Sequence, residues 1–548
     1  MKRNSSEQPF LQSPPLALRF DRPLVLGGFM AAGKSTVGRL VARALGVPFL
    51  DTDELVARRA GMAVGEIFSR RGEGAFRRME AQVVREVLPL GGVVVALGGG
   101  TLQDEALRRE ILSRAVLVVL AISAETALRR GASGAQRPLL GGDAAARLAS
   151  RAEAYAVAHL TIDTETRTPE ETATLVREQI FGNAPLFVAP TASIRLEGQT
   201  GAGPVPVFVG AGLFEALHEL VPVAKTAFVV GDTLTAPLWG PRLGTPKGMH
   251  ALPRGERAKT LEEVRALYDN FSACGVDRAT TVAALGGGTV GDTAGFAAAT
   301  WMRGVPFLQC PTTLLAMVDS ALGGKTGVNR PQGKNLVGAF HQPLAVVADV
   351  RCLRTLPPEE FRQGLAEAVK YGVGEDPLLL TRLTEEGPHI VDRNPEALVH
   401  LVAHCARLKL AVVAEDERET GTSRARLNLG HTVAHALESA SNFRWKHGDA
   451  VAAGLVVATT LGVRLGSCSP RFLAHVQELL GRFDLGRLPD RPWAEVLPFL
   501  ARDKKFSGGS CRFVVPVEGG QSSLQEISFD DLRGAYEETR AARREDLR

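Results

Sequence analysis

Three histidines and one glutamate in the second half of the chain have the residue types and the spacing of a metal site. His431 and His435 lie four residues apart in a stretch of helical composition, so both project from one face about one turn apart. His447 follows in W-K-H-G-D, where Gly448 lets the backbone approach a site closely. With Glu367, in A-E-A-V-K-Y-G, as the acidic ligand, the set predicts a catalytic zinc site that keeps one open position.

Histidines at this spacing also occur as solvated or core pairs, so the pair alone does not identify a ligand set. Two neighbouring residues favour the metal interpretation, because Arg424 and Asn428 precede the pair in R-A-R-L-N-L-G-H. We expect both side chains on the approach to the site.

A glycine-rich segment near the N-terminus fits the G-x-x-x-x-G-K-[ST] pattern of phosphate-binding loops. It reads G-F-M-A-A-G-K-S-T, between an apolar strand predicted at residues 24–26 and a helix predicted to end at residue 45. Its glycines let backbone N–H groups turn toward phosphate oxygens. Lys34 then reaches the β and γ phosphates, and the Ser35 hydroxyl binds Mg²⁺. The predicted site for ATP with Mg²⁺ consists of Gly28, Gly33, Lys34, Ser35 and Thr36.

A pair of carboxylates, Asp51 and Asp53, follows the second predicted strand in D-T-D-E. In an open α/β sheet, ligands bind at the carboxyl ends of strands. One carboxylate suits the magnesium side and the other suits accepting a proton from an attacking hydroxyl, although N-capping is an alternative role for Asp53. Several further groups predict a small anionic substrate beside the nucleotide: Arg77, Arg137, Arg151 and the glycines at 98–100.

The length and composition limit the remaining possibilities. A chain of 548 residues predicts two to four domains. A net charge of +4, without a basic run interleaved with aromatics, gives no indication of nucleic-acid binding. The six cysteines are isolated, which is typical of a reducing cytoplasm. There is no apolar run of about 18 residues and no signal-peptide core, so we expect a cytoplasmic protein without a membrane segment.

The second region alternates apolar strands with helices, which predicts another α/β part. Its G-G-G-T-V-G-D segment contains G-x-G-x-x-G as Gly286, Gly288 and Gly291. This fingerprint is weak alone, and a structural glycine turn is nearly as probable. Polar residues at other strand ends support NAD. The predicted dinucleotide site also includes Asp232, Glu256, Lys259, Gly287, Asp292, Thr312 and Thr313.

A dense polar segment at residues 317–340 mixes glycines with Asp319, Lys325, Lys334 and Asn335. This composition suits a ligand that carries phosphate and carboxylate, and a solvated loop is the alternative. Helical patterns dominate beyond residue 356. That last region also carries Lys370, Lys409 and Lys504.

These patterns predict an α/β fold in three parts. A P-loop domain with a parallel sheet comes first, then a Rossmann-like NAD-binding part, then an all-helical metal-binding part. The predicted boundaries are a flexible tail at 1–21, the P-loop domain at 22–182, a linker at 183–200, the NAD-binding part at 186–355 and the helical part at 356–548.

Residues 22 to about 182 resemble shikimate kinase, whose motifs occur here in the family's order. The resemblance implies that Asp53 lies close to the hydroxyl that is phosphorylated. Arg137 is implied to lie in a lid that closes over ATP. The implied shikimate-binding residues are Asp53, Arg77, Gly99, Gly100 and Arg151. Ala32 departs from a glycine that is frequent in relatives, and the generic loop pattern permits it.

Residues from about 186 to the end resemble 3-dehydroquinate synthase, through D-S-A-L-G-G-K-T, G-K-N-L-V-G-A-F, A-E-A-V-K-Y-G, L-N-L-G-H and K-H-G-D. The resemblance implies zinc or cobalt held by Glu367, His431 and His447, and it makes His435 a proton-handling residue. The implied substrate-binding and catalytic residues are Lys325, Asn335, Lys370, Lys409, Arg424, Asn428 and Lys504, with Lys505 as an alternative to Lys504. Asp319, Lys325 and Lys334 are also assigned to the cofactor side.

The two resemblances together imply a bifunctional enzyme of the shikimate route. The first half would phosphorylate shikimate. The second would convert 3-deoxy-arabino-heptulosonate 7-phosphate to 3-dehydroquinate and phosphate, with NAD regenerated in each turnover. The two steps are not consecutive, so direct transfer of an intermediate is not expected. A homodimer through the α/β part of the second half is also implied.

Three alternatives remain open, one for the second half and two for the first half. The second half would be an NAD- and metal-dependent polyol dehydrogenase if it formed net NADH with glycerol. The first half would be another small-molecule kinase, such as a gluconate kinase, or a non-catalytic nucleotide sensor. Loss of phosphorylation with ATP binding retained in Asp53→Asn would indicate that the first half is a kinase, whereas unchanged turnover of every candidate substrate would favour the sensor.

Overall fold

The chain divides into two compact units, Met1–Ala189 and Pro190–Arg548. The computed structural model describes residues 22–132, 144–181, 193–201, 203–419, 421, 423–442, 444–500, 506–507 and 510–546. The predicted tail at 1–21 and most of the predicted linker lie outside these residues, as do Arg137 and Lys504.

The first unit is an open parallel sheet with helices. Its strands are β1 (Leu24–Gly28), β2 (Phe49–Asp51), β3 (Val94–Ala96), β4 (Val116–Ala121) and β5 (Leu160–Asp163). Its helices are α1 (Lys34–Leu45), α2 (Thr52–Ala60), α3 (Val64–Val87), α4 (Glu105–Arg114), α5 (Ala124–Ala132), α6 (Ala144–Ala156) and α7 (Pro169–Phe181). The strand order is β2-β3-β1-β4-β5, and every pair is parallel. The central β1 is buried along its whole length, as expected for a parallel strand covered on both faces.

The second unit begins with a larger sheet. Its strands are β6 (Ile194–Thr200), β7 (Gly203–Gly210), β8 (Ala227–Asp232), β9 (Gly248–Leu252), β10 (Thr281–Gly286), β11 (Phe307–Pro311), β12 (Lys325–Arg330), β13 (Gly333–Phe340) and β14 (Ala345–Asp349). The helices among them are α8 (Leu217–Leu220), α9 (Thr235–Trp239), α10 (Leu261–Ala273) and α11 (Gly288–Thr300). The order is β6-β7-β14-β11-β10-β8-β9, while β12 and β13 form a separate hairpin. Because β8, β10 and β11 are parallel neighbours, their carboxyl ends meet at one edge.

The rest of the second unit is mostly helical. Its helices are α12 (Pro358–Gly374), α13 (Pro377–Glu385), α14 (Gly387–Val391), α15 (Pro395–Glu415), α16 (His431–Ala440), α17 (His447–Arg464), α18 (Pro470–Arg482), α19 (Trp493–Leu500) and α20 (Phe529–Asp546). An antiparallel sheet of β15 (Phe506–Ser507), β16 (Ser510–Val517) and β17 (Gln521–Ser528) lies among them.

The structure corrects one boundary prediction and resolves an overlap between two others. The prediction of an all-helical region misses the β15–β17 sheet, whose hairpin turn uses Gly519 and Gly520 at positive φ angles of 109° and 80°. The missed β16–β17 hairpin is stabilised by strand pairing that local composition does not identify. Residues 194–200 pair with β7 as an antiparallel strand, so within the overlap of the predicted linker and the predicted α/β part these residues belong to the α/β part.

The long helix α15 is apolar enough to cross a membrane by length and composition. Of its most apolar window, 61% is buried inside the second unit. The helix is therefore a core element of this fold, which explains its apolar character.

Helices α16 and α17 cross through backbone contact at two glycines. A Cβ atom added at Gly454 would lie 2.1 Å from the carbonyl oxygen of Gly430. Gly430 itself has a φ of 77° and directly precedes α16. The positions of His431 and His447, at the starts of the two helices, therefore depend on this close crossing.

We predict that Gly454→Ala lowers the free energy of unfolding of the second unit by roughly 1–3 kcal/mol, because the Gly430 backbone must move. Urea unfolding followed by tryptophan fluorescence measures this, since all four tryptophans (239, 301, 445 and 493) lie in the second unit. Gly481→Ala on α18 is the control, because a Cβ there meets nothing within 4 Å. An equal loss in both variants would contradict the prediction.

Candidate active sites

The glycine-rich loop of the first unit connects β1 to α1, as predicted. Gly28 and Gly33 have φ angles of 136° and 89°, which glycine adopts without strain. Lys34 Nζ donates to the carbonyl oxygens of Gly28 and Phe29, both at 3.0 Å. The loop therefore presents a lysine and the N-terminus of a twelve-residue helix on one side. This is an anion-binding arrangement.

Asp51 and Asp53 have different roles. Asp51 is the N-cap of α2, accepting from the backbone N–H groups of Asp53 and Glu54, and it also accepts from the Ser35 hydroxyl at 2.6 Å. The alternative capping role considered for Asp53 therefore belongs to Asp51. Burial, with the neighbouring carboxylates of Asp51 and Glu80, raises the pKa of Asp53 to about 6. Its Oδ1 is buried and has no hydrogen-bond partner among the described residues.

The glycines at 98–100 leave space for charged side chains. A Cβ at Gly100 would lie 2.2 Å from Arg77 Nη2, and one at Gly98 would lie 2.2 Å from Glu80 Oε1. Arg151 Nη1 donates to the Gly99 carbonyl at 2.6 Å. The structure thus brings these predicted residues together beside Asp53. Arg137 lies outside the described residues.

Glu80 is a residue of this site that the sequence analysis missed. It is 1% exposed, and it accepts from Arg77 at 2.8 Å and from the Thr101 hydroxyl at 2.5 Å. Its position three residues after Arg77 was the sequence signal for this contact, because residues at that spacing are neighbours on a helix. Glu80 orients Arg77 toward the glycine turn.

A cleft of about 720 Å³ lies at the carboxyl ends of β8, β10 and β11 in the second unit. Most of the predicted dinucleotide residues line it: Asp232, Glu256, Lys259, Gly287, Gly288, Asp292, Thr312, Thr313 and Lys334, together with Asn335. Gly286 and Gly291 do not line the cleft. Their missing side chains instead allow close packing, Gly286 against Val290 and Gly291 against Gln309.

Polar contacts connect the cleft walls. Lys259 Nζ donates to Asp292 at 2.6 Å and to Asn335 at 2.5 Å, so residues distant in sequence meet at one lysine. Burial raises the pKa of Asp292, and the Lys259 ammonium opposes this shift. Thr312 Oγ1 is buried in the cleft wall with no partner among the described residues, so a ligand there gains a hydrogen-bonding group.

Glu367, His431 and His447 converge from α12, α16 and α17. One potential ligand atom from each lies within 4.8 Å of the other two. Glu367 Oε1 is 3.4 Å from His431 Nε2 and 3.3 Å from His447 Nε2. The ring of His435 is 5.6 Å from that of His431, and His435 lines the cleft with His447. The geometry selects His447, and not the neighbour at four-residue spacing, as the third member of the cluster.

Each histidine of the cluster directs Nε2 toward Glu367 and has a polar partner at its second ring nitrogen, Nδ1. His431 Nδ1 lies 3.2 Å from the Leu429 carbonyl, and His447 Nδ1 lies 3.4 Å from Glu438 Oε2. Such contacts orient metal-ligating histidines. Glu438, three residues after His435 on the same helix, is a second residue that the sequence analysis missed.

The carboxylate of Glu367 is fully buried beside a lysine. Lys370 Nζ lies 2.5 Å from Oε2, yet neither carboxylate oxygen has a hydrogen bond of good geometry among the described residues. Burial favours the neutral acid, but Lys370 and the histidines outweigh it and hold the pKa of Glu367 well below its usual range. An ionised carboxylate between two imidazoles is a donor set that fits a divalent transition metal.

Asp319 forms hydrogen bonds that connect Lys409, another predicted site residue, with the helix α12 that carries Glu367. It accepts from Lys409 Nζ at 2.6 Å and from the Tyr371 hydroxyl at 2.9 Å. Burial lowers the pKa of Lys409, and Asp319 opposes this shift. This polar cluster adjoins Lys370, because Tyr371 is the next residue of α12.

Arg424 and Lys325 approach a shared partner. Lys325 forms an ion pair with Glu419, and Arg424 Nη1 lies 4.0 Å from the same carboxylate. Arg424 is 4% exposed, and its Nε and Nη2 have no partner among the described residues. Asn428 is half-buried at the end of the same helical turn. Lys504 lies outside the described residues.

Comparison with protein families assigns both units. The shikimate kinase family matches residues 30–181. The N-terminal and C-terminal families of 3-dehydroquinate synthase match residues 249–363 and 364–506. A 3-dehydroquinate synthase from Symbiobacterium thermophilum is 44% identical over 350 residues, which are 61% of this chain and 98% of that protein.

Two solved structures resemble the second unit. One is a 2-epi-5-epi-valiolone synthase from Streptomyces hygroscopicus subsp. jinggangensis with NAD+ and Zn²⁺ bound; it is 26% identical, has a TM-score of 0.57, and the match covers 62% of this chain and 97% of that chain. The other is a 2-deoxy-scyllo-inosose synthase in complex with carbaglucose-6-phosphate, NAD+ and Co²⁺; it is 25% identical, has a TM-score of 0.55, and the match covers 63% and 100%.

The fold, the phosphate-binding loop and the histidine–glutamate cluster agree with these matches. The chain belongs to the 3-dehydroquinate synthase family and carries a shikimate kinase domain ahead of it, so that it is a bifunctional enzyme of the shikimate pathway.

Proposed function

We propose that the kinase site uses ATP with Mg²⁺ and that the synthase site uses NAD+ with Zn²⁺ or Co²⁺. The observation that carries the synthase proposal is the convergence of Glu367, His431 and His447, of which His447 also lines the strand-end cleft. The kinase proposal rests on the loop at Gly28 and Gly33 with Asp53 nearby.

In the kinase site, Lys34 and the N-terminus of α1 bind the ATP phosphates. The Ser35 hydroxyl, oriented by Asp51, faces the magnesium that accompanies ATP. Arg77 and Arg151 hold the shikimate carboxylate and hydroxyls, with the Gly99 and Gly100 backbone closing that side.

Asp53 accepts the proton of the shikimate hydroxyl that attacks ATP. Its buried Oδ1 has no partner among the described residues, and its pKa near 6 makes it a stronger base than an exposed aspartate. Arg137, by resemblance, neutralises charge on the phosphoryl group during transfer.

We predict that Asp53→Asn preserves ATP binding and lowers the kcat for shikimate by at least about 100-fold, because the proton acceptor is lost. Calorimetric titration with a non-hydrolysable ATP analogue and a coupled ADP assay measure the two quantities. Glu54→Gln is the matched control, since Glu54 is an exposed neighbour that pairs with Arg39. Wild-type protein that binds ATP but never phosphorylates shikimate would favour a nucleotide sensor.

The pH dependence of the same reaction follows from the raised pKa. Below a pH of about 6 the Asp53 carboxyl is protonated and cannot accept a proton, so kcat/KM for shikimate should rise with pH through that value. A profile that is flat between pH 5 and 7, as rough bounds around a pKa near 6, would contradict this role.

In the synthase site, the cleft holds NAD+ across the carboxyl ends of β8, β10 and β11, with Gly287 and Gly288 beside the pyrophosphate and Asp232, Thr312 and Lys259 as polar partners. Glu367, His431 and His447 hold the metal. The metal held there would supply Lewis-acid polarisation of the substrate alcohol, and NAD+ would supply reversible hydride acceptance from the substrate carbon.

The remaining side chains bind the heptulosonate phosphate. Lys325 and Arg424, together with Asn335, supply positive charge and donors for phosphate and hydroxyls. Lys370 and Lys409 are buried on the metal side, where they hold substrate hydroxyl and carboxylate oxygens. Asn428 and, by resemblance, Lys504 complete the set. His435 handles a proton at the substrate hydroxyl beside the metal.

A polyol dehydrogenase is the less favoured alternative for this unit. It would not require the lysines and Asn335 of the 325–335 segment for a phosphate. Release of phosphate from the heptulosonate, with NAD+ far below the substrate concentration and no net NADH, distinguishes the synthase from it.

We predict that His447→Gln removes stoichiometric zinc and lowers phosphate release by at least about 100-fold, because a three-residue site loses one ligand. Zinc retained after gel filtration and free phosphate are the measurements. His475→Gln is the control, since His475 bonds Thr384 in the same helical region. Equal zinc in both variants would place the metal elsewhere.

The synthase unit is also proposed to form a homodimer through its α/β part. The strand β13 pairs with β12 and, among the described residues, with no other strand. Leu336 and Phe340 on β13 are 61% and 47% exposed, an apolar edge that a second copy would cover.

We predict that Leu336→Asp shifts the protein from dimer to monomer in sedimentation velocity, because a charge enters the covered edge. Leu378→Asp on α13 is the control, since Leu378 is 71% exposed outside the α/β part. A protein that stays dimeric with Leu336→Asp would contradict this placement of the interface.

A further inference from the structure

The helices that carry Glu367 and His447 are joined by a buried glutamine. Gln363 is 4% exposed and lies on α12 four residues before Glu367, so both side chains are on one helix face. Its Oε1 accepts from the backbone N–H of Gly448 at 2.6 Å, and its Nε2 donates to Asp449 Oδ2 at 3.2 Å. Both partners directly follow His447.

This contact gives a backbone N–H group at the beginning of α17 a hydrogen-bond acceptor from another helix, α12. The N-terminal N–H groups of a helix have no partner within it, and the N-cap Lys446 provides no side-chain cap. Gln363 bonds one of these groups across the interface. The backbones are close, because a Cβ at Gly448 would lie 2.5 Å from the Gln363 Cα. The Gln363 amide therefore bonds the start of α17 at the point where the backbones of α12 and α17 are in close contact.

The contact between α12 and α17 also sets the distance between the metal-ligating atoms of Glu367 and His447. His447 is the first residue of α17, and its Nε2 lies 3.3 Å from Glu367 Oε1. Lys446 adds ion pairs to Glu359 and Glu360 at 3.0 and 2.7 Å, but these lie on the partly exposed side of the contact. Exposed ion pairs tolerate changes of geometry that a buried hydrogen bond does not.

We propose that Gln363 is a positioning residue of the metal site, which holds His447 at ligand distance from Glu367 by capping α17 from α12. The inference rests on the proposed metal function of these two residues. Gln363 itself contributes no atom to the metal. Its loss lets the start of α17 shift, so that the ligand set must be reassembled on binding.

The test measures metal affinity of the full-length protein without relying on turnover. Gln363→Met keeps the length and volume of the side chain but removes both hydrogen bonds to α17, together with a 3.4 Å hydrogen bond from Nε2 to the Glu359 carbonyl within α12. Gln363→Asn keeps the amide but is too short to reach Gly448. We expect each variant to bind Zn²⁺ about 10- to 100-fold more weakly than wild type in competition with a chromophoric chelator. Two variants are used so that the test can still be made if one of them does not fold.

Thr384→Val is the matched control, because it removes the hydrogen bond between Thr384 on α13 and His475 on α18, away from the ligands. Thermal unfolding of the metal-free proteins is recorded alongside, so that a general loss of stability is separated from a loss of affinity. Zn²⁺ affinity within about twofold of wild type in both Gln363 variants, or an equal loss in Thr384→Val, would overturn the inference. Wild-type protein that binds no Zn²⁺ would overturn the proposed metal site itself.

Discussion

A buried carboxylate that must remain charged constrains the second unit. An unpaired charge in a protein interior costs several kcal/mol, so cationic or metal partners have to surround Glu367. Lys370 comes from the same helix, while His431 and His447 begin two other helices. The helix α12 and the consecutive helices α16 and α17, which follow it much later in the chain, must therefore pack within side-chain reach of one carboxylate. The close crossing of α16 and α17 at Gly454 serves the same requirement.

The first unit also brings carboxylates close together in its interior, but it balances their charge with an arginine. Asp53 and Glu80 are two nearby carboxylates, and Arg77 is bonded to Glu80. Residues 98–100 lack side chains where these groups converge, so the charged side chains reach a common space. In both units, charged side chains cluster at the carboxyl ends of parallel strands or at the starts of helices. Backbone dipoles at these positions contribute to the binding of charged ligands.

Local patterns in the sequence predicted the features that short segments determine. The P-loop fits a strand–turn–helix, so its geometry followed from a few residues. The metal cluster needed more, because spacing alone paired His431 with His435, whereas the resemblance to a known family indicated His447. Glu80, Glu438 and the β15–β17 sheet were not predicted. Their roles arise from partners brought together only by tertiary packing, and no local period or composition encodes such a partner.

The most direct test of the account is a crystal structure of the full chain grown with NAD+ and Zn²⁺, with anomalous scattering measured at the zinc edge. The account predicts one strong peak in the second unit, about 2.0–2.2 Å from an oxygen of Glu367 and from a nitrogen of each of His431 and His447, facing the nicotinamide. A peak at other residues, or none with these side chains turned apart, would contradict it.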